Sequence, residues 1–496
     1  MMPVSLLIAL LIAFGIESSA ATVPQADVST RVFETFGGIS LIASLAFGLG
    51  FWVAFRASHI AASTSRLRRM YVLGFRLITF LSLVVYGWII HFVGWSKLVR
   101  TNWGLEGMVL LDDVVVFLPY LLIQLLVWWG LFFAERALQV RQGFGPERKL
   151  GRYLFLKGRQ ALGLTLPVIL LYVIKRDAVT RVFPNWAKSA LFEPIEIAVL
   201  GFLVLALSPC FVRIAWPTYS LPPGPLRSRL LHAARRVGFR FTDILVWDTG
   251  QMMVNACVTG IVPGFRYVLL SDGLLESLTP LETAAVFGHE VGHVAHRHFL
   301  YFALFFMGTL GLLALCGDGF AVAGRLIAES SWLSAKNASF LSQLVEDGGL
   351  LLCLLLYFWF VFGYLSRRFE RQADVYGSKV VSCGQSDCPP HADLDAEDDS
   401  GGNEGRLQLG LCPIGLRIFA DALASVARSN GLDQRNRSWR HGSIATRIAF
   451  LQELEQHPER EYEFQREVGR LRLVLGGILT SAVVISAVSQ VWELFY

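Results

Sequence analysis

The chain has 496 residues, 54% of them hydrophobic and only 17% charged, against roughly 25% charged in an ordinary soluble domain. That balance excludes a simple soluble enzyme and calls for several apolar helices in a lipid bilayer. The net charge of +5 is too small and too scattered for a nucleic-acid footprint and is read instead as topology information.

The first apolar run, Val4 to Ile16, is shorter than the roughly 20 residues that span a bilayer as a helix. It ends in Glu17-Ser18-Ser19-Ala20-Ala21 and has no Lys or Arg before it, so residues 1–21 are either a signal peptide or a first short membrane helix. Clearer spans follow near residues 37–55, 77–95, 114–134, 161–174 and 193–212. Two more lie near 299–316 and 348–365, and a last near 473–491, for about eight or nine in all. Arg56, Arg66, Arg68 and Arg69, then Arg136, Arg141, Arg148, Lys149, Arg152, Lys157 and Arg159, mark two cytoplasmic loops by the positive-inside rule. Alternate crossing then puts the hydrophilic blocks 213–298 and 366–472 on the same, cytoplasmic side. Asp112 and Asp113 sit at the start of a span and are expected to reach the interface.

Leu221-Pro222-Pro223-Gly224-Pro225 breaks the chain ahead of a folded domain. Phe241 to Trp247 and Phe265 to Leu270 have the composition of short strands. Thr279-Pro280-Leu281-Glu282 is a capping box with proline at the first helical position, so a helix starts near 280. The insertion at about 383–406, with Pro389-Pro390 and an acidic run, is expected to be a disordered solvated loop. Seven cysteines, an odd number spread along an apolar chain, do not form a secreted disulfide framework, and reduced thiols are expected. Cys383, Cys388, His391 and Cys412 are spaced too irregularly for a second metal site.

The capped helix carries His289-Glu290-Val291-Gly292-His293, an HExxH. Positions i and i+4 put both imidazoles on one face, where two ring nitrogens can meet one zinc ion. Glu290 beside them is placed to take a proton from metal-activated water and pass it to the leaving amine. A catalytic zinc needs a third protein ligand. His296 lies two turns beyond His289, about 10 Å along a straight helix, so His296 and His298 are read as polar residues of a helix end. The better candidate is Glu370 in Ser366-Arg367-Arg368-Phe369-Glu370-Arg371-Gln372-Ala373-Asp374, with Asp374 one turn on and able to accept the free N–H of a ligand histidine. Spacing alone favours an ordinary amphipathic helix end with Glu and Arg mixed for solvation.

Taken together, HEVGH, the downstream SRRFERQAD, Asn255-Ala256-Cys257-Val258-Thr259-Gly260 and His441 with Arg447 in HGSIATRI resemble the membrane zinc metallopeptidases of gluzincin type that include bacterial HtpX and the type I CaaX prenyl endopeptidases. The resemblance implies one zinc ion per chain, held by His289, His293 and Glu370, with Glu290 as general base and Asp374 behind the ligands. It implies that Asn255 lies on or beside an edge strand that aligns substrate, and that His441 and Arg447 stabilise the oxyanion. The family usually shows proline after that histidine, where Gly442 stands here. The five spans ahead of the motif resemble the CaaX endopeptidases in number, whereas the wording HEVGHVAHRH is closer to HtpX.

The fold class expected is mainly α: a polytopic helical membrane protein with a small α/β zincin-type core on the cytoplasmic face. Residues 22–213 form the N-terminal membrane-helix region, 214–298 the first half of the core, 299–365 two membrane helices, 366–472 the second half and 473–496 a C-terminal membrane helix. The expected partners are a membrane-associated polypeptide substrate and the lipid bilayer, without nucleic acid. Two other functions are weighed. A site-2-type intramembrane metalloprotease needs a late Asp-Gly ligand, but Asp318-Gly319 and Asp347-Gly348 both fall on the outer side. A non-catalytic scaffold is opposed by the intact Glu290 and ligand set.

Overall fold

An apolar run surrounded by lipid can satisfy its backbone N–H and C=O groups only by closing them on itself, as a helix does. The structure, a computed structural model, describes residues 5–6, 8–9, 12–13, 27–59, 64–105, 108, 111–141, 149–173, 192–249, 253–329, 338, 341–342, 345, 349–383, 410–436 and 438–495. It divides into two units, Met1–Thr218 with Gly260–Val262, and Tyr219–Thr259 with Pro263–Tyr496. The readings made for residues 1–21, for Asp347-Gly348 and for the acidic insertion fall almost wholly outside the described residues.

The first unit is helical: α1 Val28–His59, α2 Thr64–Trp88, α3 Leu111–Arg141, α4 Leu150–Val173 and α5 Phe192–Ala215. Among the described residues three helices are long and apolar enough to cross a membrane: Val28–His59, Arg66–Val93 and Leu111–Arg141. α1 and α3 cross at paired glycines, where a Cβ on Gly50 would collide with the Gly130 carbonyl oxygen. Small residues at such a crossing let dispersion contacts hold helices together where no hydrophobic force does. Asp112 and Asp113 are not exposed. They are 1% and 4% exposed, and Arg100 pairs with both, at 3.1 and 2.8 Å. A carboxylate taken out of water needs a partner of this kind.

The second unit holds a four-stranded sheet in the order β1-β2-β4-β3, formed by β1 Thr218–Ser220, β2 Asp243–Trp247, β3 Ala256–Thr259 and β4 Tyr267–Ser271. β2 pairs with β4 in parallel and β3 with β4 antiparallel, which leaves β3 at the edge. The expected strands begin two residues late, at Asp243 and Tyr267. Thr242 instead donates its backbone N–H to Arg266 O, and its hydroxyl reaches Gly264 O, in the turns ahead of the strands.

Around the sheet lie α6 Pro225–Arg236, α7 Asp272–Ser277, α8 Pro280–Ala295, α9 His298–Ala328, α10 Leu350–Tyr357, α11 Gly363–Val380, α12 Pro413–Ser429, α13 Ile444–Gln456 and α14 Glu459–Phe495. One apolar core runs through this unit, with Ile244, Val268, Phe287, Val291, Phe369 and Phe419 among its buried members. α10 and α11 form one path through a wider helical turn at Phe358–Phe362. Asp318-Gly319 lies inside α9.

Candidate metal centre

The helix that carries the histidine pair is started by its own side chains. Thr279 Oγ1 accepts the Glu282 N–H at 3.3 Å, and the Glu282 carboxylate accepts the Thr279 N–H at 2.8 Å. With Pro280 preset for the first turn, α8 runs on to bring His289 and His293 one turn apart, their Nε2 atoms 3.3 Å from each other. Glu370 arrives from α11, its carboxylate oxygens 3.8 Å from each of those nitrogens. The three ligand atoms lie within 4.8 Å of one another. Two nitrogens bonded to a tetrahedral zinc at about 2.0–2.1 Å stand roughly 3.3 Å apart, so the donor set and its spacing fit that ion.

This convergence depends on α8 and α11 touching backbone to backbone. A Cβ on Gly377 would fall 2.7 Å from Ala285 O and 3.0 Å from His289 N, and one on Gly292 would fall 2.9 Å from Tyr376 Cβ. The glycine inside HEVGH is therefore part of the crossing, and the other half of the contact is Gly377, seven residues after Glu370.

Behind the ligands stands a second layer. Asp374 is fully buried and sets Oδ1 2.9 Å from His289 Nδ1, the carboxylate position that orients a ligand imidazole. Arg447 holds Asp374 in turn, its Nε donating to Oδ2 at 2.8 Å and its Nη2 to Oδ1. Arg447 Nη1 is 3.4 Å from Glu370 Oε2, and His441 Nδ1 is 2.8 Å from Glu370 Oε1. His441 is half exposed, whereas Arg447 is mostly enclosed. The residue after His441, Gly442, has φ +74°. Proline, locked near −65°, cannot take that conformation, so the loop bends here in a way that a proline at 442 would forbid.

The charges are distributed unevenly. Burial pushes Glu290 up to about 7, with Glu370 adding to the rise and His289 and the Val258 backbone N–H opposing it. Burial would also raise Glu370, but His441 and Arg447 outweigh it and hold that carboxyl well below its ordinary value. Asp374 is held down too: Arg447 and His289 overcome its desolvation. His289 rises, because Asp374 outweighs burial. His293 falls to about 3, through burial and then the neighbouring His289.

Asn255 lies just before β3, and its backbone is tied to β4 by Ser271 N–H to Asn255 O and by Asn255 N–H to Ser271 Oγ, both 2.9 Å. Its exposed side chain is not among the groups that meet at the metal site. His296 ends α8 and is no ligand. His298 stands at a helix end, as the first residue of α9, but it is not solvated. It is 1% exposed, stacks on Phe369 at 4.3 Å, and puts Nδ1 2.9 Å from His293 Nδ1. The cause is Arg297, whose left-handed φ of +56° breaks α8 from α9 and swings the next side chain inward. A third histidine nine residues after the first was visible in the sequence; a left-handed arginine was not. Cys412 is also buried rather than solvated, and its Sγ accepts the Gly415 N–H to cap α12.

Residues 221–454 match the family model described as Peptidase family M48. The chain is 26% identical over 258 residues to the CAAX prenyl protease 1 homolog of Dictyostelium discoideum, a match that covers 49% of this chain and 57% of that protein. It is 24% identical over 201 residues to CAAX prenyl protease 1 of Saccharomyces cerevisiae, covering 38% and 44%. Against Protease HtpX of Chromohalobacter salexigens the figure is 31% over 163 residues, covering 30% and 49%. The chain thus spans about half the length of the curated relatives it matches. Its fold is similar to the crystal structure of S. mikatae Ste24p, with a TM-score of 0.52 and 16% identity over 87% of this chain and 100% of that one.

Proposed function

We propose a function for a chain that belongs, through residues 221–454, with the membrane zinc metallopeptidases of peptidase family M48: it is an integral membrane zinc metalloendopeptidase that hydrolyses peptide bonds of membrane-associated, misfolded or prenylated polypeptides. The observation that carries this reading is the meeting of His289, His293 and Glu370 within 4.8 Å, next in the chain to a glutamate whose carboxyl is raised to about 7. Two histidines and one glutamate, with a coordination position left for substrate or water, are the donors of hydrolytic zinc. The site-2-type alternative loses ground because, among the described residues, it is Glu370 that joins the histidines.

Bound zinc supplies Lewis acidity and brings the pKa of water toward about 7. Glu290 takes the proton of the attacking water on its carboxylate and delivers it to the leaving amine nitrogen, a task suited to a group that titrates near neutrality. His441, half exposed at the rim, donates toward the carbonyl oxygen as negative charge develops there. Arg447 directs its guanidinium at Asp374 and Glu370 and supports the oxyanion through the field of the site. An extended peptide adds to the free edge of β3 next to Asn255, where main-chain groups supply alignment. The relatives' names, CAAX prenyl protease 1 and Protease HtpX, support the substrate class, and the arginine-rich loops support an active site facing the cytoplasm.

The test uses the detergent-purified full chain, an unfolded model polypeptide and a prenylated peptide, with zinc removed by chelation and then restored. Glu290→Gln is expected to keep about one zinc per chain, as a catalytic site requires, and to lose about 10²–10⁴-fold in rate. Glu370→Ala is expected to lose the zinc itself. Normal cleavage by both variants would overturn the assignment.

A further inference from the structure

The ligand histidines are backed by different groups. Behind His289 stands the carboxylate of Asp374. Behind His293 stands another imidazole, His298, and behind that a row of polar side chains that runs from buried Gln372 to the half-buried Gln465 and Arg472. His298 Nε2 is 3.1 Å from Gln372 Oε1. The same Oε1 accepts from Arg472 Nη2, and the Gln372 amide nitrogen donates to Gln465 Oε1.

The direction of every bond in this row follows from its last member. A guanidinium can only donate, so the Gln372 atom that faces Arg472 is the carbonyl oxygen. That oxygen can only accept, which makes His298 Nε2 a donor. A ring 1% exposed, stacked face to face on Phe369 at 4.3 Å and one residue removed from the Arg472 guanidinium, is disfavoured as a second cation. Its Nδ1 then carries a lone pair, and His293 Nδ1, 2.9 Å away, must donate its proton there. This leaves the lone pair of His293 on Nε2, the nitrogen that faces His289 and Glu370.

From this geometry we infer that His298 is a positioning residue of the metal centre, which together with Gln372 and Arg472 fixes the His293 tautomer that can bind a metal ion. The inference rests on the reading of the site as a zinc centre. It explains why an imidazole is buried where a leucine would pack more cheaply, and why Arg472, sixteen residues after the end of α13, reaches into the same core over Tyr301 and Phe369. Without the relay, neutral His293 divides between two tautomers and one of them presents N–H to the metal position.

The experiment measures zinc affinity of the detergent-purified full chain by competition with a chromogenic chelator, alongside thermal unfolding of the metal-free protein. His298→Phe keeps a ring against Phe369 but removes both nitrogens. It is expected to weaken zinc binding about 10–100-fold, the usual effect of losing the partner of a ligand histidine, with metal-free unfolding little changed. Gln372→Met removes the acceptor for His298 Nε2 and should weaken zinc binding as well. Native affinity in His298→Phe would overturn the inference. If that variant does not fold, native affinity in Gln372→Met overturns it instead. A native chain that binds no zinc would bring down the functional reading itself, a result distinct from either.

Discussion

At the scale of the residue, the site is a set of compensated charges, and each compensation predicts a measurement. Asp374 is the clearest. It is fully buried, and only Arg447 and His289 keep its carboxyl below the ordinary aspartate range. A depressed carboxyl contributes stability that is present above the unfolded-state value of about 3.9 and is lost as pH falls through the lower folded-state value. The metal-free chain should therefore lose thermal stability as the medium is acidified below about pH 4, and Asp374→Asn should flatten that limb while lowering stability at neutral pH. An unchanged acid limb in the variant would show that other carboxyls set it. His289 and Glu290 were legible as residue types at a fixed spacing. The burial of His298 was not legible because its surroundings depend on one backbone angle at Arg297, and arginine has no propensity for a left-handed conformation.

At the scale of the element, two contacts between helices matter most. The α8–α11 crossing brings Gly288, Gly292 and Gly377 so close that a Cβ on Gly377 has no space before Ala285 O and His289 N. Neither neighbour is the end of a flexible side chain, so Gly377→Ala must move one helix off the other. It is expected to cost about 1–3 kcal/mol in stability, as overpacking does, and to weaken zinc binding by widening the gap from Glu370 to the histidines. Thermal unfolding and zinc competition with wild-type values would disprove the role of the crossing. In the first unit, Arg100→Ala would remove the guanidinium that pairs with buried Asp112 and Asp113. Breaking a buried pair from one side costs about 3–5 kcal/mol, and thermal unfolding in detergent should register it. The helix start at Pro280 was readable because a capping box is local chemistry. The pairing of Arg100 with two aspartates was not, because it joins positions 12 and 13 residues apart in the chain.

At the scale of the whole molecule, the expectation that both hydrophilic blocks face the cytoplasm is open to a direct check. An epitope inserted at the exposed His457-Pro458 turn between α13 and α14 should be digested by added protease in inside-out vesicles and protected in right-side-out ones. The reverse pattern would invert the topology. What the sequence alone determined is what local chemistry and counting can reach: an apolar helical chain, a capped helix with two histidines and a glutamate at helical spacing, and a short-stranded segment ahead of it; Glu370 as third ligand came only with the family resemblance. What only the tertiary structure decided is which distant groups meet. Glu370 lies 77 residues beyond His293, and the Arg447 that locks Asp374, the polar row from His298 to Arg472 and the glycines that let α8 touch α11 all come from separate elements. Periodicity along a chain specifies the face a residue occupies on its own helix; the partner across that face is chosen by packing, because close-packed interiors accept few arrangements of side chains.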